Sequence, residues 1–449
     1  MTFVSRRGVL RGALGAACSS LLWQPPARAL GRIPLGGQLR LRLPWSTARM
    51  DPHNLSDPLA MLFASAICDP IYALDNKGRP YPTLAAALPQ VENGHTIVTL
   101  RPHLRSARGH ALTGRDLAWS ITRARHSGAR GLLGALKGFV RADKEQPLRA
   151  SFGVIEPIKL AILLSSPLCA LLPRGFNPQT PDGSGPFRAD CSAASMRLTR
   201  NLHAARGPAF LKQVMVHAAP DLSASLRAFE SGRDDIGWLG RGFHRDRPHS
   251  HPFNYGSVGW VVLATGTKAG SFHLPGGAQQ LANAVPVERL HLGLAPRANL
   301  APGALWIGGP AEVLYDRAQP QLAIIAAAVA SKLSQSDHLL TPTPVSRTAL
   351  RTARMSRNFA LALDTVVHPG AGPTGPLVAL ATSDHHSLGR DIARHPPRIH
   401  YRRAAHRLTS NLHIGVLGAI VARGGIASGV QLAISPRGRG ISLGGSYRS

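Results

Sequence analysis

The sequence predicts an α/β fold built in two or more lobes, on three observations. The chain has 449 residues, enough to bury more than one core. Its hydrophobic share is 44% and its mean hydropathy is near zero, the balance of a globular chain. Glu312 to Val345 reads as strand, helix, strand. Val313-Leu314-Tyr315 is the first strand, Pro320 to Ser334 the helix with proline in its first turn, and Leu339 to Val345 the second strand.

Residues 1–31 read as an export signal. Ser5-Arg6-Arg7-Gly8-Val9-Leu10-Arg11 carries paired arginines, Gly12 to Trp23 is weakly apolar, and Ala27-Arg28-Ala29 is a small-x-small cleavage site. That combination describes a twin-arginine leader over residues 1–29 and a mature, periplasmic chain starting near Leu30. Gly15-Ala16-Ala17-Cys18 has glycine where a lipoprotein box needs leucine, so cleavage after Ala29 is expected in place of a lipid anchor at Cys18.

The elements follow in order. Leu39, Leu41 and Leu43 alternate with Arg40 and Arg42, the period of a half-exposed strand. A turn at Asp51-Pro52 precedes an apolar run, Leu59 to Ile71, long enough for a helix. Leu74-Asp75-Asn76-Lys77-Gly78-Arg79 reads as a hairpin turn, and Pro80 and Pro82 lead toward a short Ala-rich helix. Thr96 to Leu100 is a strand, followed by a basic turn at Arg101 to Arg105. Thr113 with Asp116 makes a capping box that starts a helix running to His126. Pro157 to Leu172 reads as a buried strand and then a short helix. Asp182-Gly183-Ser184-Gly185-Pro186-Phe187 is a glycine-closed turn into a strand, and no lysine follows to make it a phosphate loop. Gly207 to Val216 leads into a further strand, and Asp221 to Ile236 reads as helix, turn and strand with Gly232 ending the helix. Val258 to Ala264 is a buried strand, and Phe359-Ala360-Leu361-Ala362-Leu363-Asp364 is a late apolar run. The tail is Arg-rich from Arg390 to Arg407, apolar from Ile414 to Val421 and glycine-rich to Ser449.

Four of these stretches, in order over residues 37 to 240, resemble the family 5 solute-binding proteins, the extracytoplasmic receptors of ABC importers for peptides, nickel and related solutes. They are the opening Ala48–Ala87, the Leu112-Thr113-Gly114-Arg115-Asp116 helix start, Gly183-Ser184-Gly185-Pro186-Phe187, and Asp221–Ile236 with its Asp234-Asp235 pair. The chain departs from the pattern at His103, where the family has glycine, and at Ala360, where it has aspartate. The resemblance implies a two-lobed periplasmic-binding-protein architecture (type II, family 5) with mixed sheets and a hinge cleft. The first lobe would span 30–257, the second 258–400, and 401–449 would be a shortened segment returning to the first. It implies a small solute, peptide by default, as ligand, with no cofactor and no catalysis. The partners would be a membrane permease and its cytoplasmic ATPase. Cleft residues on this reading are Asp51, His53 and Asn54 in the opening turn, Trp260 near the crossover, and Asp364 and His368 around the late strand. Peptide-binding members place an aspartate for the peptide ammonium just after that strand, where this chain has Thr365-Val366-Val367-His368-Pro369.

Other classes are weighed against this. The formal charge is +29. It comes from arginines dispersed along the chain with few aromatics, a poor footprint for nucleic acid, which is not expected as a partner. There is no C-x-x-C and no His-Glu-x-x-His. The rival reading is a metal-binding protein or metal-dependent enzyme that uses His249, His251, Asp384 and His385. A third is a degenerate receptor with a sensing role.

Overall fold

The computed structural model describes residues 33–54, 58–75, 77–127, 140–237, 247–290, 294–295, 302–367, 409–434 and 441–448, with isolated positions at Leu133, Leu136 and Gly138. Strand β1 (Gln38–Leu43) buries Leu39, Leu41 and Leu43 and turns Arg40 and Arg42 to its other face, as its period of two requires. Helix α1 (Pro58–Ile67) is apolar all round and is buried on nearly every side. The hairpin β2 (Tyr72–Leu74) and β3 (Pro80–Pro82) forms as expected. Its turn is held by Asp75, whose Oδ1 accepts from the Lys77 and Arg79 amides at 2.8 and 2.9 Å, with Gly78 at φ 83°.

The Ala-rich helix expected after Pro82 does not form. The amides of Thr83 and Leu84 both donate to the Ile71 carbonyl at 3.1 Å, and the Ala86 amide donates to Thr99 at 2.8 Å. These long-range bonds take the donors that a helix would use. A four-stranded antiparallel sheet follows, in the order β4 (Gln90–Glu92), β5 (His95–Thr99), β7 (Arg149–Phe152), β6 (Arg141–Ala142). In the turn after β5, His103 takes φ 60°, the left-handed conformation that the family's glycine would take with less strain. Helix α2 (Gly114–His126) starts at the Thr113–Asp116 capping box. The strand and helix expected over 157–172 are both displaced toward the N-terminus. The strand, β7, comes earlier, and Pro157–Leu163 is helix α3, because Glu156 accepts from the Ile158 amide at 3.2 Å and Pro157 sits in the first turn.

The Gly183–Gly185 turn leads into β8 (Phe187–Cys191). Its glycines are needed for close approach, since a Cβ at 183 would stand 2.5 Å from the Cys68 sulfur and one at 185 would stand 2.5 Å from Ile67. Then come β9 (Ser195–Arg200), β10 (Gln213–Ala218), α4 (Leu222–Glu230) and β11 (Ile236–Gly237). The second half contains β12 (Ser250–Thr265), α5 (Gly277–Asn283), β13 (Leu294–Ala295), β14 (Ala311–Asp316), α6 (Pro320–Leu333), β15 (Leu340–Val345), α7 (Arg347–Ser356) and β16 (Leu361–Val367). Last are β17 (Ile414–Ala427), β18 (Val430–Ile434) and β19 (Ile441–Arg448). The β14–α6–β15 unit stands within a residue or two of where the sequence puts it.

One mixed sheet runs through both halves in the order β15-β14-β16-β12-β17-β11-β1-β10-β9-β8, with β13 also paired to β17. Leu39, Ile67, Phe187 and Val214 form a core on the first half, and Val430 and Leu443 from the tail belong to it. Leu263, Trp306, Val313, Ile325 and Val329 form another on the second. A third cluster joins Leu117, Phe152 and Leu160 to Val262, Ala362 and Val366. Among the described residues no helix is long and apolar enough to cross a membrane.

Candidate functional site

The register of the large sheet fixes where a site can be. β12 begins beside the first half, where Ser250–Asn254 pair with Ala427–Arg423, and it ends deep in the second, where Gly259–Thr265 pair with β16. β16 and β17 are both antiparallel to β12, and β14 and β15 run parallel with β16. All four therefore run back toward the first half. β11 is antiparallel to β17, and β1 and β10 are parallel to β11, so these three run toward the second half. The carboxyl ends of β14, β15 and β16 face those of β1, β10 and β11 across the middle of β12 and β17. Ligands of open α/β sheets lie outside strand carboxyl ends. The β12–β17 ladder is irregular at that level, with register shifts between Asn254 and Ser257 and between Ser257 and Gly259. Such bulges bend a strand pair.

A direct hydrogen bond crosses the gap. Trp45, two residues beyond β1, donates from Nε1 to Oε1 of Gln321 in the first turn of α6, at 3.4 Å. Gln321 continues a polar network along the second half's rim. Its Nε2 donates to Gln319 Oε1 at 3.2 Å, and the Thr365 hydroxyl donates to the same oxygen at 3.3 Å. Gln319 Nε2 reaches Asp316 Oδ2 at 3.4 Å. Arg347 stands 2.6 Å from Asp364 Oδ1 and 3.8 Å from Asp316, and Arg354 bonds Asp364 Oδ2. Asp364 is buried, which alone would raise its carboxyl; Arg347 and Arg354 outweigh that and hold it below the usual carboxylate range.

The opening turn is organised by Asp51. Its carboxylate accepts both Arg123 Nη atoms at 2.9 and 2.7 Å and the His53 amide at 3.0 Å. Burial raises its carboxyl, and the Arg123 pair more than reverses the effect. The Arg123 guanidinium also lies over the Phe176 ring at 5.3 Å, a cation–π contact. His53 is fully buried, with Nε2 3.1 Å from the Ala170 carbonyl, so the proton sits there and Nδ1 faces no partner among the described residues. Burial lowers this imidazole to about 4. The Asn54 amide closes the turn onto the Asp51 carbonyl at 3.0 Å.

Trp260 lies in β12 just past the register shift, partly buried against the joint cluster. His249 and His251 are exposed where β12 begins, and His249 takes φ 55°. His368, Asp384 and His385 lie outside the described residues. Among the described residues no three His, Cys, Asp or Glu side chains are grouped to hold a metal. The structure thus brings Asp364 to the rim and commits Asp51 and His53 to partners of their own half. Sequence reasoning missed Trp45, Gln319, Gln321 and Arg347. The signal was available, since each follows closely on the carboxyl end of a strand legible from its pattern.

No protein-family model matches the chain, and no curated protein matches it in sequence. Solved structures match it in fold. The oligopeptide-binding protein AppA from Bacillus subtilis, in complex with a nonapeptide, superposes with a TM-score of 0.73 at 13% identity, over 93% of this chain and 100% of that one. AgaA from A. tumefaciens R10, in complex with agropinic acid, gives 0.72 at 14% identity, over 92% and 99%. NikA from Brucella suis, in complex with Fe(III)-EDTA, gives 0.71 at 14% identity, over 92% and 100%. These proteins are binding proteins, not enzymes. At such identities the likeness is one of fold, and the chain has the two-lobed, mixed α/β fold of the family 5 solute-binding proteins of ABC importers.

Proposed function

We propose that this chain is an extracytoplasmic solute receptor that captures a small ligand between its halves and hands it to an ABC permease driven by a cytoplasmic ATPase. The observation that carries the reading is the pair of facing carboxyl edges, spanned by two long strands whose ladder is irregular at the gap. On this reading residues 1–29 are a twin-arginine leader and the mature chain works in the periplasm. The first lobe is 30–257, the second is 258–400, and the tail 401–449 returns to the first, with β17 crossing over from the second half; the Val430 and Leu443 contacts favour that return. The chain catalyses nothing; its work is binding and closing.

Peptide is the ligand class that the fold favours by default. Trp45, Gln319, Gln321 and Arg347 line the rim, and Trp260 lies at the hinge. Asp364 already carries two guanidinium partners. A peptide ammonium would therefore compete with Arg347 for it or be met by another group.

The test is native mass spectrometry of the exported protein, before and after mild unfolding. Release of short peptides or another defined small solute is the expected result. A protein that emerges bare and takes up nothing from peptide pools, with no change of its radius of gyration, would sink the receptor reading.

A further inference from the structure

We propose a second binding site, for a small organic anion, at the far end of the second half from the cleft. A cavity of about 200 Å³ opens there between the end of β12, the end of α7 and the residues that lead into β16 and β17. The register places it at the opposite end of β16 from the rim, because Leu361 pairs with Thr265 and Val367 pairs with Gly259. It goes beyond the receptor reading and does not depend on it.

The lining is one-sided in charge. Arg354, Arg357 and His413 contribute cationic or protonatable groups, Thr265 a hydroxyl, and no acidic side chain among the described residues lines it. Arg354 is engaged by Asp364. Arg357 is exposed, which leaves its guanidinium the one most open to a ligand. Phe359, Leu412 and Met355 supply an apolar wall. A volume this small, below the several hundred Å³ of typical ligand pockets, suits an oxyanion head on a short apolar body.

Arg357 ends α7 in the left-handed conformation usual at a helix C-terminus, φ 57°, and His413 holds φ 52°. Both are pinned through their carbonyls, by Thr265 at the end of β12 and by Thr267 just beyond it. Arg357 O accepts from the Thr267 amide at 2.8 Å and its hydroxyl at 2.9 Å. His413 O accepts from the Thr265 amide at 3.0 Å. Between them Gly266 passes so close that a Cβ would stand 2.3 Å from the Phe359 carbonyl. The His413 ring is stacked on His273, with centroids 4.3 Å apart and planes 9° from parallel. Both residues line the one cavity.

The experiment is calorimetric titration of the full chain with benzoate and with inorganic phosphate, at constant ionic strength. Saturable binding of at least one is expected; benzoate alone would show that the apolar wall contributes, and phosphate alone that charge suffices. Arg357→Gly removes the guanidinium while suiting a positive φ, so its fold is kept, and it should bind about tenfold more weakly. His413→Asn, which also tolerates that conformation, should weaken binding in the same direction. Arg289→Asn, an exposed arginine elsewhere, should bind as the parent does. No saturable heat from either anion, or equal losses in the Arg357 and Arg289 variants, would overturn the proposal.

Discussion

His53 and Asp69 are buried groups that titrate in opposite senses. Burial lowers the His53 imidazole from 6.5 to about 4. The folded state prefers it neutral, so its contribution is complete above pH 6.5 and is lost as pH falls toward 4. Burial raises the Asp69 carboxyl from 3.8 to about 6, against the pull of Arg206 at 3.5 Å and the Ser184 hydroxyl. Its contribution is complete below pH 3.8 and is lost as pH rises through about 6. The two slopes oppose each other between about pH 4 and 6. His53→Gln, with an amide for the Ala170 carbonyl, should leave stability rising as pH falls through that window. Asp69→Asn should leave it falling. Urea midpoints across the window read both, and parallel curves would refute the assignment.

Asp364 makes a different kind of prediction. Arg354, its side chain 6% exposed, bonds it directly. Asp364→Asn should cost about 3–5 kcal/mol, because a buried ion pair is broken. Arg347→Gln, at a one-third-exposed partner, should cost about 1 kcal/mol or less. Equal small losses would show that the pair is not sealed from solvent. Asp364 itself was visible in the sequence as a polar residue ending an apolar strand. Its partners were half-visible: Arg347 and Arg354 stand seven apart, two helical turns on one face, but nothing local says which strand that face covers.

Helix α2 sets propensity against packing. Alanine is preferred to glycine in a helix by about 1 kcal/mol, so Gly114→Ala should stabilise on propensity alone. The structure predicts the opposite, because a Cβ at 114 would stand 2.1 Å from the Arg149 carbonyl, which is backbone and cannot swing away. A loss of about 1–3 kcal/mol in chemical unfolding is expected. A gain would mean that β7 can retreat at little cost. The start of α2 was legible because a capping box is a local signal, as were β1 with its alternating leucines and the β14–α6–β15 unit. The segment after Pro82 was misread because the Ile71 and Thr99 carbonyls that claim its amides come from other parts of the chain. Pro157–Leu163 was misread for another reason. A short apolar run has no period of its own to separate strand from helix, and the Glu156 cap decides it.

If the halves close on a ligand as proposed, the Trp45–Gln321 bond spans them, and a small change there should move the equilibrium. Trp45→Phe keeps the ring and removes the N–H that reaches Gln321. The loss of about 1 kcal/mol is enough to change an open-to-closed ratio about fivefold. The ligand-free protein should show a larger radius of gyration by small-angle scattering, with its unfolding midpoint nearly unchanged. An unchanged radius would mean that the joint apolar cluster, from Leu160 to Val366, holds the halves together without it. Trp45 and Gln321 lie 276 positions apart, and no pattern in either neighbourhood announces the other.

The second half leaves and re-enters the first along neighbouring strands, with Asn254 and Arg423 facing each other as ladder partners. The described residues between those two positions therefore form a cassette. Excising it and joining Asn254 to Arg423 through a two-residue turn would restore an ordinary β-hairpin and let the remaining chain close on itself. Such an exchange would keep the ladder of the receiving sheet but would take Val262, Ala362 and Val366 out of the cluster they share with Leu117 and Phe152, so an incoming cassette has to bring its own apolar face for those residues.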